Sequence, residues 1–269
     1  MSPHPVHHVF IDLDDTLYIN PEVPKHVSSF IDGYIRKLGF PEERVVEIRH
    51  DYYLKHGTTL CGLVKEGVLV DYDDWHAHVH APLEYERLIS ASPDLAQILR
   101  KIRAKRYVFT NADKAHASRC LGLLGFAEGL FEKVIHFEHV MEEAVKRGLA
   151  KLTCGKNGVE AVAPVVCKPH LEAFEIALAA AGLDSAEGCV FIDDSRRNIL
   201  GAKKAGFTTV WVNEHAHTER PEAADFAVTS LLELPDVMPW LFTGAPSLRT
   251  MAERALAEEE AEHVAGASP

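Results

Sequence analysis

The sequence lacks the marks of a membrane-spanning, secreted or disulfide-bonded protein. No apolar run approaches the length that a bilayer requires, and residues 1–8 hold no basic segment followed by an apolar one. The five cysteines are scattered, odd in number and in no close pair, which argues against a disulfide framework and against a zinc site. We therefore expect a cytoplasmic protein without a membrane anchor; a plastid location is the alternative, although the first residues are not rich in Arg and Ser.

An excess of positive charge is also lacking. The 269 residues carry a net charge of −12, which argues against the backbone of a nucleic acid as the main partner. A small phosphorylated metabolite would therefore need a locally positive pocket. The length suffices for one large domain or for a core with a smaller cap. No feature of the sequence specifies an oligomeric state.

Two patterns of apolar residues divide the chain. Between residues 19 and 94 the apolar residues recur at helical spacing without a clear strand. After residue 93, short β-branched or aromatic runs alternate with helical segments, which is typical of a parallel sheet with helices on both faces. We predict an α/β fold with a Rossmann-like core and an inserted helical cap. The predicted parts are a core at 1–18 and 95–245, a cap at 19–94, and a peripheral helix or frayed tail at 246–269.

The individual segments are predicted from the same periodicities. The predicted strands are 9–11, 107–110, 134–137, 190–192 and 209–212, with a possible edge strand at 224–228. The predicted helices are 23–38, 41–55, 58–66, 72–81, 93–102, 114–124, 171–181 and 196–205. Residues 138–163 are interpreted as a surface excursion whose first half is helical.

Polar side chains collect where the predicted strands end. The run 9–11 leads directly into Asp12, Asp14 and Asp15, and carboxylates crowded at the end of a buried strand repel one another unless a cation such as Mg²⁺ binds. Because the carboxyl ends of parallel strands meet at one edge of a sheet, we expect the polar groups of several strands to converge. Together they suit a phosphate held beside a divalent cation. The further members of this set are Thr110, Asn111, Lys168, Asp193 and Asp194.

Each of these motifs also has a purely structural interpretation. Asp12 to Asp15 can form an Asx turn, and Asn111 is a common helix N-cap. Lys168 alone suits a solvated loop, because lysine is rarely buried. The segment 193–195 suits an N-cap cluster that complements a helix dipole. Their joint occurrence at strand ends, in this order, favours a phosphohydrolase-type site.

Two other groups in the predicted cap carry weaker signals. His76, His78 and His80 resemble a metal cluster, but residues two apart on a helix do not face each other, so we predict no metal site there. Aromatic and hydroxyl residues nearby are candidates for contact with a base or sugar, with core packing as the alternative. These candidates are Tyr52, Tyr53, His56, Thr58 and Thr59.

The ordered motifs resemble the haloacid dehalogenase-like superfamily of phosphatases. They are Asp-x-Asp-x-Thr at 12–16, Thr-Asn at 110–111, Lys-Pro at 168–169 and Asp-Asp-Ser at 193–195. The helical block at 19–94 is similar in position to the cap of that superfamily. Residues 12–18, 56–63 and 191–199 further resemble the pyrimidine 5′-nucleotidase branch found in fungi and plants, with His56 where that branch usually has Tyr.

The resemblance implies roles in phosphoryl transfer. Asp12 would be the nucleophile that forms an aspartyl-phosphate. Asp14 would protonate the leaving oxygen and then deprotonate the attacking water, and the acid role implies a raised pKa. Thr110 and the backbone N–H of Asn111 would hold phosphate oxygens, and Lys168 would neutralise both the phosphate and the nucleophile.

The resemblance also implies a Mg²⁺ site. Its ligands would be the carboxylates of Asp12 and Asp194 and the backbone carbonyl of Asp14. Asp193 would contribute directly or through water, and Asn198 would orient these groups.

The implied function is Mg²⁺-dependent hydrolysis of a phosphate monoester, with a nucleoside 5′-monophosphate, a pyrimidine one, as the favoured substrate. One alternative is a phosphatase of another small metabolite, such as a sugar phosphate or a phosphorylated vitamin. A phosphomutase that uses the same site is another, and it would yield an isomer rather than free phosphate. A regulatory protein with a vestigial site is a third. Intact Asp12, Asp14, Lys168 and Asp194 argue against this last alternative.

Overall fold

The computed structural model describes residues 6–242, so the tail predicted at 246–269 lies outside the described residues. Six parallel strands form one sheet in the order β3-β2-β1-β6-β7-β8, and two antiparallel strands, β4 and β5, form a separate ribbon. The strands are β1 His8–Ile11, β2 Lys105–Phe109, β3 Lys133–Ile135, β4 Lys151–Cys154, β5 Glu160–Ala163, β6 Cys189–Asp193, β7 Thr208–Val212 and β8 Phe226–Val228.

Helices surround this sheet. The first five follow β1: α1 Glu22–Lys37, α2 Glu42–His56, α3 Thr59–Lys65, α4 Tyr72–Val79 and α5 Tyr85–Leu88. The others are α6 Pro93–Lys101, α7 Lys114–Leu123, α8 Phe137–Lys146, α9 Leu171–Ala180, α10 Arg196–Lys204 and α11 Leu234–Val237. Short 3₁₀ turns occupy Leu231–Glu233 and Pro239–Leu241. The predicted α/β fold with a parallel sheet is thus confirmed. Within residues 6–242, the helices are all too short or too polar to span a bilayer.

Alternation along the strands explains the helices on both faces. In β1, Phe10 belongs to one apolar cluster, where its ring stacks on Tyr107 at 4.8 Å between centroids. Val9 and Ile11 belong to a second cluster on the opposite face. Successive side chains of a strand point to opposite faces, so both sides of the central strands require cover.

Two predictions for the region after β2 need correction. The strand predicted at 134–137 ends at Ile135, because His136 caps α8 by accepting a hydrogen bond from the backbone of His139, and Phe137 is already helical. The excursion at 138–163 contains the β4–β5 ribbon, which was not predicted. Every residue of β4 is exposed, and the strand is only four residues long, so no buried apolar face marks it.

The register of the sheet sets the height at which the polar residues emerge. Ile11 pairs with Val108 of β2 on one side and with Ile192 of β6 on the other. The next residues along these three strands, Asp12, Phe109 and Asp193, therefore lie at the same level. This alignment brings two carboxylates and one backbone carbonyl to the carboxyl edge of the sheet.

Gly201 of α10 provides a test of this packing. A Cβ there would lie 2.5 Å from the carbonyl oxygen of Pro169 and 2.9 Å from the Phe174 ring. We expect Gly201→Ala to lower the free energy of unfolding by about 1–3 kcal/mol, since the helix is forced off its neighbour. Urea unfolding curves measure the change.

The matched control is Gly122→Ala in α7, where a Cβ would meet no heavy atom within 4 Å. This substitution should raise the free energy of unfolding by up to about 1 kcal/mol, because alanine costs less backbone entropy in a helix. Equal effects of the two substitutions would contradict the close approach of α10 to the segment before α9.

Candidate active site

The nucleophile candidate Asp12 stands at the end of the central strand β1. Its backbone N–H donates to the carbonyl of Ile192 at 2.9 Å, so it continues the sheet by one residue. Burial of Asp12 is nearly complete, with 7% of the residue exposed. The apolar run before it therefore fixes both its height and its environment.

Lys168 is a buried cation that joins three strand ends. Its Nζ lies 2.7 Å from Asp12 Oδ1, 2.7 Å from Asp193 Oδ2 and 2.7 Å from the carbonyl oxygen of Phe109. An ammonium has three N–H donors, so these acceptors satisfy it completely. The structural interpretation of Lys168 as a solvated loop residue is wrong, because only 1% of the residue is exposed.

Asn111 holds the backbone of this lysine in place. Its side-chain oxygen accepts the N–H of Lys168 at 2.9 Å, and its side-chain N–H₂ donates to the carbonyl of Lys168 at 3.0 Å. The Thr110 hydroxyl accepts the N–H of Ala112 at 3.0 Å. Gly57 closes over the same segment, since a Cβ there would lie 2.8 Å from the carbonyl oxygen of Lys168.

Asp193 and Asn198 form the other support of Lys168. The Asn198 amide donates to both oxygens of Asp193, at 3.0 and 3.1 Å, and the N–H of Ser195 donates to Oδ1 at 2.8 Å. Both Asp193 oxygens are thus engaged by protein donors. The neighbouring Asp194 is held through its backbone, where its carbonyl accepts the Trp211 indole N–H at 2.6 Å.

The electrostatics of the acidic cluster fit a divalent cation. Carboxylate oxygens of Asp12, Asp193 and Asp194 lie within 4.8 Å of one another. Burial raises the pKa of Asp12 well above its usual value, and although Lys168 counteracts this, Asp193 and Asp14 raise the pKa further. Burial and repulsion from Asp193 and Asp12 raise the pKa of Asp194 to about 9.

The net charge of the acidic cluster and Lys168 also fits a divalent cation. Three ionised carboxylates and one ammonium leave two negative charges, which is the charge that one divalent cation balances. The donors are oxygens only, a set that favours Mg²⁺ over softer metals. The Asp12 and Asp194 carboxylates could hold such an ion, and Asp193 beside them is engaged by Lys168 and Asn198.

Asp14 has partners of its own. His116 Nε2 donates to Asp14 Oδ1 at 2.8 Å, and the Tyr18 hydroxyl donates to the same oxygen. Burial alone would raise the pKa of Asp14, but the charge of His116 and the hydrogen bonds from His116 and Tyr18 lower it to about 2. This shift is opposite in direction to the raised pKa that an acid role implies.

His116 carries the proton of this pair. Burial lowers its pKa, but the charge of Asp14 and the hydrogen bonds with Asp14 and Cys120 together outweigh burial and raise the pKa of His116 well above its usual value. The contacts agree: His116 Nδ1 lies 2.8 Å from the Tyr85 hydroxyl, which donates in turn to the carbonyl of His80 at 3.1 Å. Both ring nitrogens of His116 thus face acceptors.

A cavity of about 300 Å³ lies between the helices α1–α4 and the carboxyl edge of the sheet. Tyr53, Thr58 and Thr59 line this cavity, whereas His56 does not. Thr58 caps α3 by accepting the N–H of Cys61 at 3.1 Å, and Thr59 donates to the carbonyl of Arg49 at 3.1 Å. The predicted site residues in the lining are Asp12, Asp14, Thr110, Asn111, Lys168, Asp194 and Asn198.

Known proteins resemble this chain in family and in fold. A family model for haloacid dehalogenase-like hydrolases matches residues 6–206. The chain belongs to the haloacid dehalogenase-like hydrolase family. Among curated proteins, Phosphate metabolism protein 8 of Saccharomyces cerevisiae is 25% identical over 285 residues, which cover 98% of this chain and 82% of the yeast protein.

Two solved structures of similar fold accompany these findings. The HAD phosphatase from Thermococcus onnurineus is 19% identical with a TM-score of 0.52, covering 87% of this chain and 97% of that one. The L-2-haloacid dehalogenase RSc1362 is 19% identical with a TM-score of 0.51, covering 87% of this chain and 99% of that one. Both likenesses show the fold shared by haloacid dehalogenase-like hydrolases.

Sequence reasoning missed the partners of Asp14 in this haloacid dehalogenase-like hydrolase. His116 lies 102 residues from Asp14 along the chain, and no local pattern marks it. It also grouped His76, His78 and His80 and predicted no metal site there, and so passed over the pair His76 and His80, which lie one helical turn apart and both line the cavity. Their spacing of four residues, rather than the alternation with His78, was the available signal.

Proposed function

We propose that this hydrolase cleaves phosphate monoesters through an aspartyl-phosphate, with Mg²⁺ bound at the acidic cluster. The observation that carries the proposal is a second carboxylate, Asp14, in the same cavity as Asp12. A leaving halide needs no proton, whereas a leaving alkoxide does, so a second carboxyl group favours phosphate esters over haloacids. Both hydrogen bonds to Asp14 go to Oδ1, which leaves Oδ2 for the substrate.

The proposed reaction has two displacements at phosphorus. In the first, an oxygen of Asp12 bonds to phosphorus while the bond to the leaving oxygen breaks, and Asp14 delivers a proton to that oxygen. In the second, Asp14 takes a proton from water, which attacks phosphorus and frees Asp12 and inorganic phosphate. The proton that Asp14 delivers and later takes up is shared with the His116 imidazolium, which lies 2.8 Å from Asp14.

The surrounding groups would hold and neutralise the phosphate. The buried Lys168 ammonium offsets charge on Asp12 and on the phosphoryl oxygens, while Thr110 and the backbone N–H of Asn111 bind those oxygens. The bound Mg²⁺ supplies further charge stabilisation, held by Asp12, Asp194 and the Asp14 carbonyl. Positioning and charge neutralisation are expected to provide most of the rate in phosphoryl transfer.

We also propose that residues 19–94 form a cap over this core, and that the substrate is a small metabolite in the cytoplasm. The cavity between the two parts is lined by Val27 of α1, Tyr53 of α2 and Val79 of α4. Its volume of about 300 Å³ suits a small molecule rather than a polymer. A pyrimidine nucleoside 5′-monophosphate is the favoured substrate. Tyr53, Thr58 and Thr59 of the lining are the candidates for contact with its base or sugar, and His56, outside the lining, is a further one.

The first experiment removes the nucleophile. Asp12→Asn should abolish phosphate release from a panel of nucleotides, sugar phosphates and vitamin phosphates in the presence of Mg²⁺, because an amide does not attack phosphorus. Phosphate is measured colorimetrically, and Asp184→Asn, at an exposed position, is the matched control that keeps activity. Retained turnover in Asp12→Asn would overturn the mechanism, and an isomerised product from the unmodified protein would indicate a mutase.

A second experiment tests the role of Asp14. Asp14→Asn should reduce hydrolysis of an alkyl phosphate, such as a nucleotide, by about 10²–10⁴-fold. The loss should be much smaller for p-nitrophenyl phosphate, because p-nitrophenolate leaves without a proton. Steady-state kinetics on both substrates measure the difference, and equal losses on the two would count against Asp14 as the proton donor.

A further inference from the structure

A second cluster of metal-ligating side chains lies beside the acidic one. His76 of α4, His80 just after α4, and Asp113 at the start of α7 present one ligand atom each, and these atoms lie within 4.8 Å of one another. His76 Nδ1 is 3.4 Å from Asp113 Oδ2, and His80 Nδ1 is hydrogen-bonded to the same oxygen. All three side chains are at least 85% buried, with exposures of 11%, 15% and 6%.

His76 is the member that protein contacts leave unexplained. Both of its ring nitrogens are buried and make no hydrogen bond among the described residues. Leaving such groups without partners costs free energy, and native structures rarely do so without a reason.

The helical spacing provides the geometry of a bidentate pair. Residues four apart lie on one face of a helix, and the rings of His76 and His80 stack at 5.7 Å between centroids with 20° between planes. Two ligands at about 2.0–2.1 Å from a tetrahedral ion are separated by roughly 3.3 Å. The separation of 3.4 Å between His76 Nδ1 and Asp113 Oδ2 matches this value.

We propose that His76, His80 and Asp113 form a second metal site, selective for a borderline ion such as Zn²⁺. Two imidazoles and one carboxylate suit zinc, whereas the oxygen-only set of Asp12, Asp193 and Asp194 suits Mg²⁺. The ion would take the place of the proton that His80 now shares with Asp113. Three protein ligands leave one position of a tetrahedral site for water or a substrate atom, and His76 and His80 both line the cavity.

A bound ion would tie α4 to the core. His76 and His80 belong to the helical block between β1 and β2, while Asp113 caps α7 by accepting the N–H of His116 at 2.9 Å. The His80 ring lies 4.5 Å from that of His116, the partner of Asp14. Zinc at this site would therefore fix the helices over the cavity and add positive charge close to Asp14.

The test is calorimetric titration of Zn²⁺ into the full chain, with Mg²⁺ in excess so that the acidic cluster is already occupied. We expect one Zn²⁺ per chain. His76→Gln and Asp113→Asn should each weaken binding by at least about tenfold, the loss that even indirect contacts to a metal cause. Asn keeps the helix cap at position 113, and urea unfolding checks that both variants are folded.

The matched control is His78→Gln on the same helix. His78 packs against Tyr34 at 5.3 Å between ring centroids, away from the cluster, so zinc affinity should be unchanged. Co²⁺ bound to the unmodified protein should show visible ligand-field bands without an intense thiolate charge-transfer band. Absence of Zn²⁺ binding, unchanged affinity in His76→Gln, or a thiolate band that disappears in Cys61→Ser would each overturn the proposal.

Discussion

The Lys168 ammonium is the interaction on which both the fold and the candidate site depend. Burying a cation costs several kcal/mol unless acceptors replace its water, and here three acceptors do so at 2.7 Å each. They belong to the ends of β1, β2 and β6, three adjacent strands of the sheet. The lysine therefore links the strand ends and also fixes the orientation of Asp12.

This arrangement leaves the site short of positive charge. Asp12 and Asp193 share one cation, and Asp194 adds a third carboxylate beside them. Burial, together with that repulsion, raises the pKa values of Asp12 and Asp194. A divalent ion and a phosphate suit the same location for complementary reasons, since the ion balances the carboxylates while Lys168 and the ion together balance the phosphate.

Much of this could be predicted from the sequence, because the strongest signals are local. Apolar runs that end in acidic residues mark strands β1 and β6, and parallel pairing then brings their ends together. Contacts between segments that are distant along the chain have no local sequence signal of this kind. His116 reaches Asp14 from 102 residues away, and the exposed strand β4 of the ribbon has no buried apolar face. The pair His76 and His80 indicates a metal site only together with Asp113, which the fold brings within 4.8 Å of both.

The most direct test of the central claim is anomalous scattering from crystals grown in saturating Mn²⁺, which takes the same oxygen ligands as Mg²⁺. We expect one strong peak bound by the Asp12 and Asp194 carboxylates, with the Lys168 ammonium still between Asp12 and Asp193. A map with no peak at that position, or a lysine side chain turned away from both carboxylates, would contradict it.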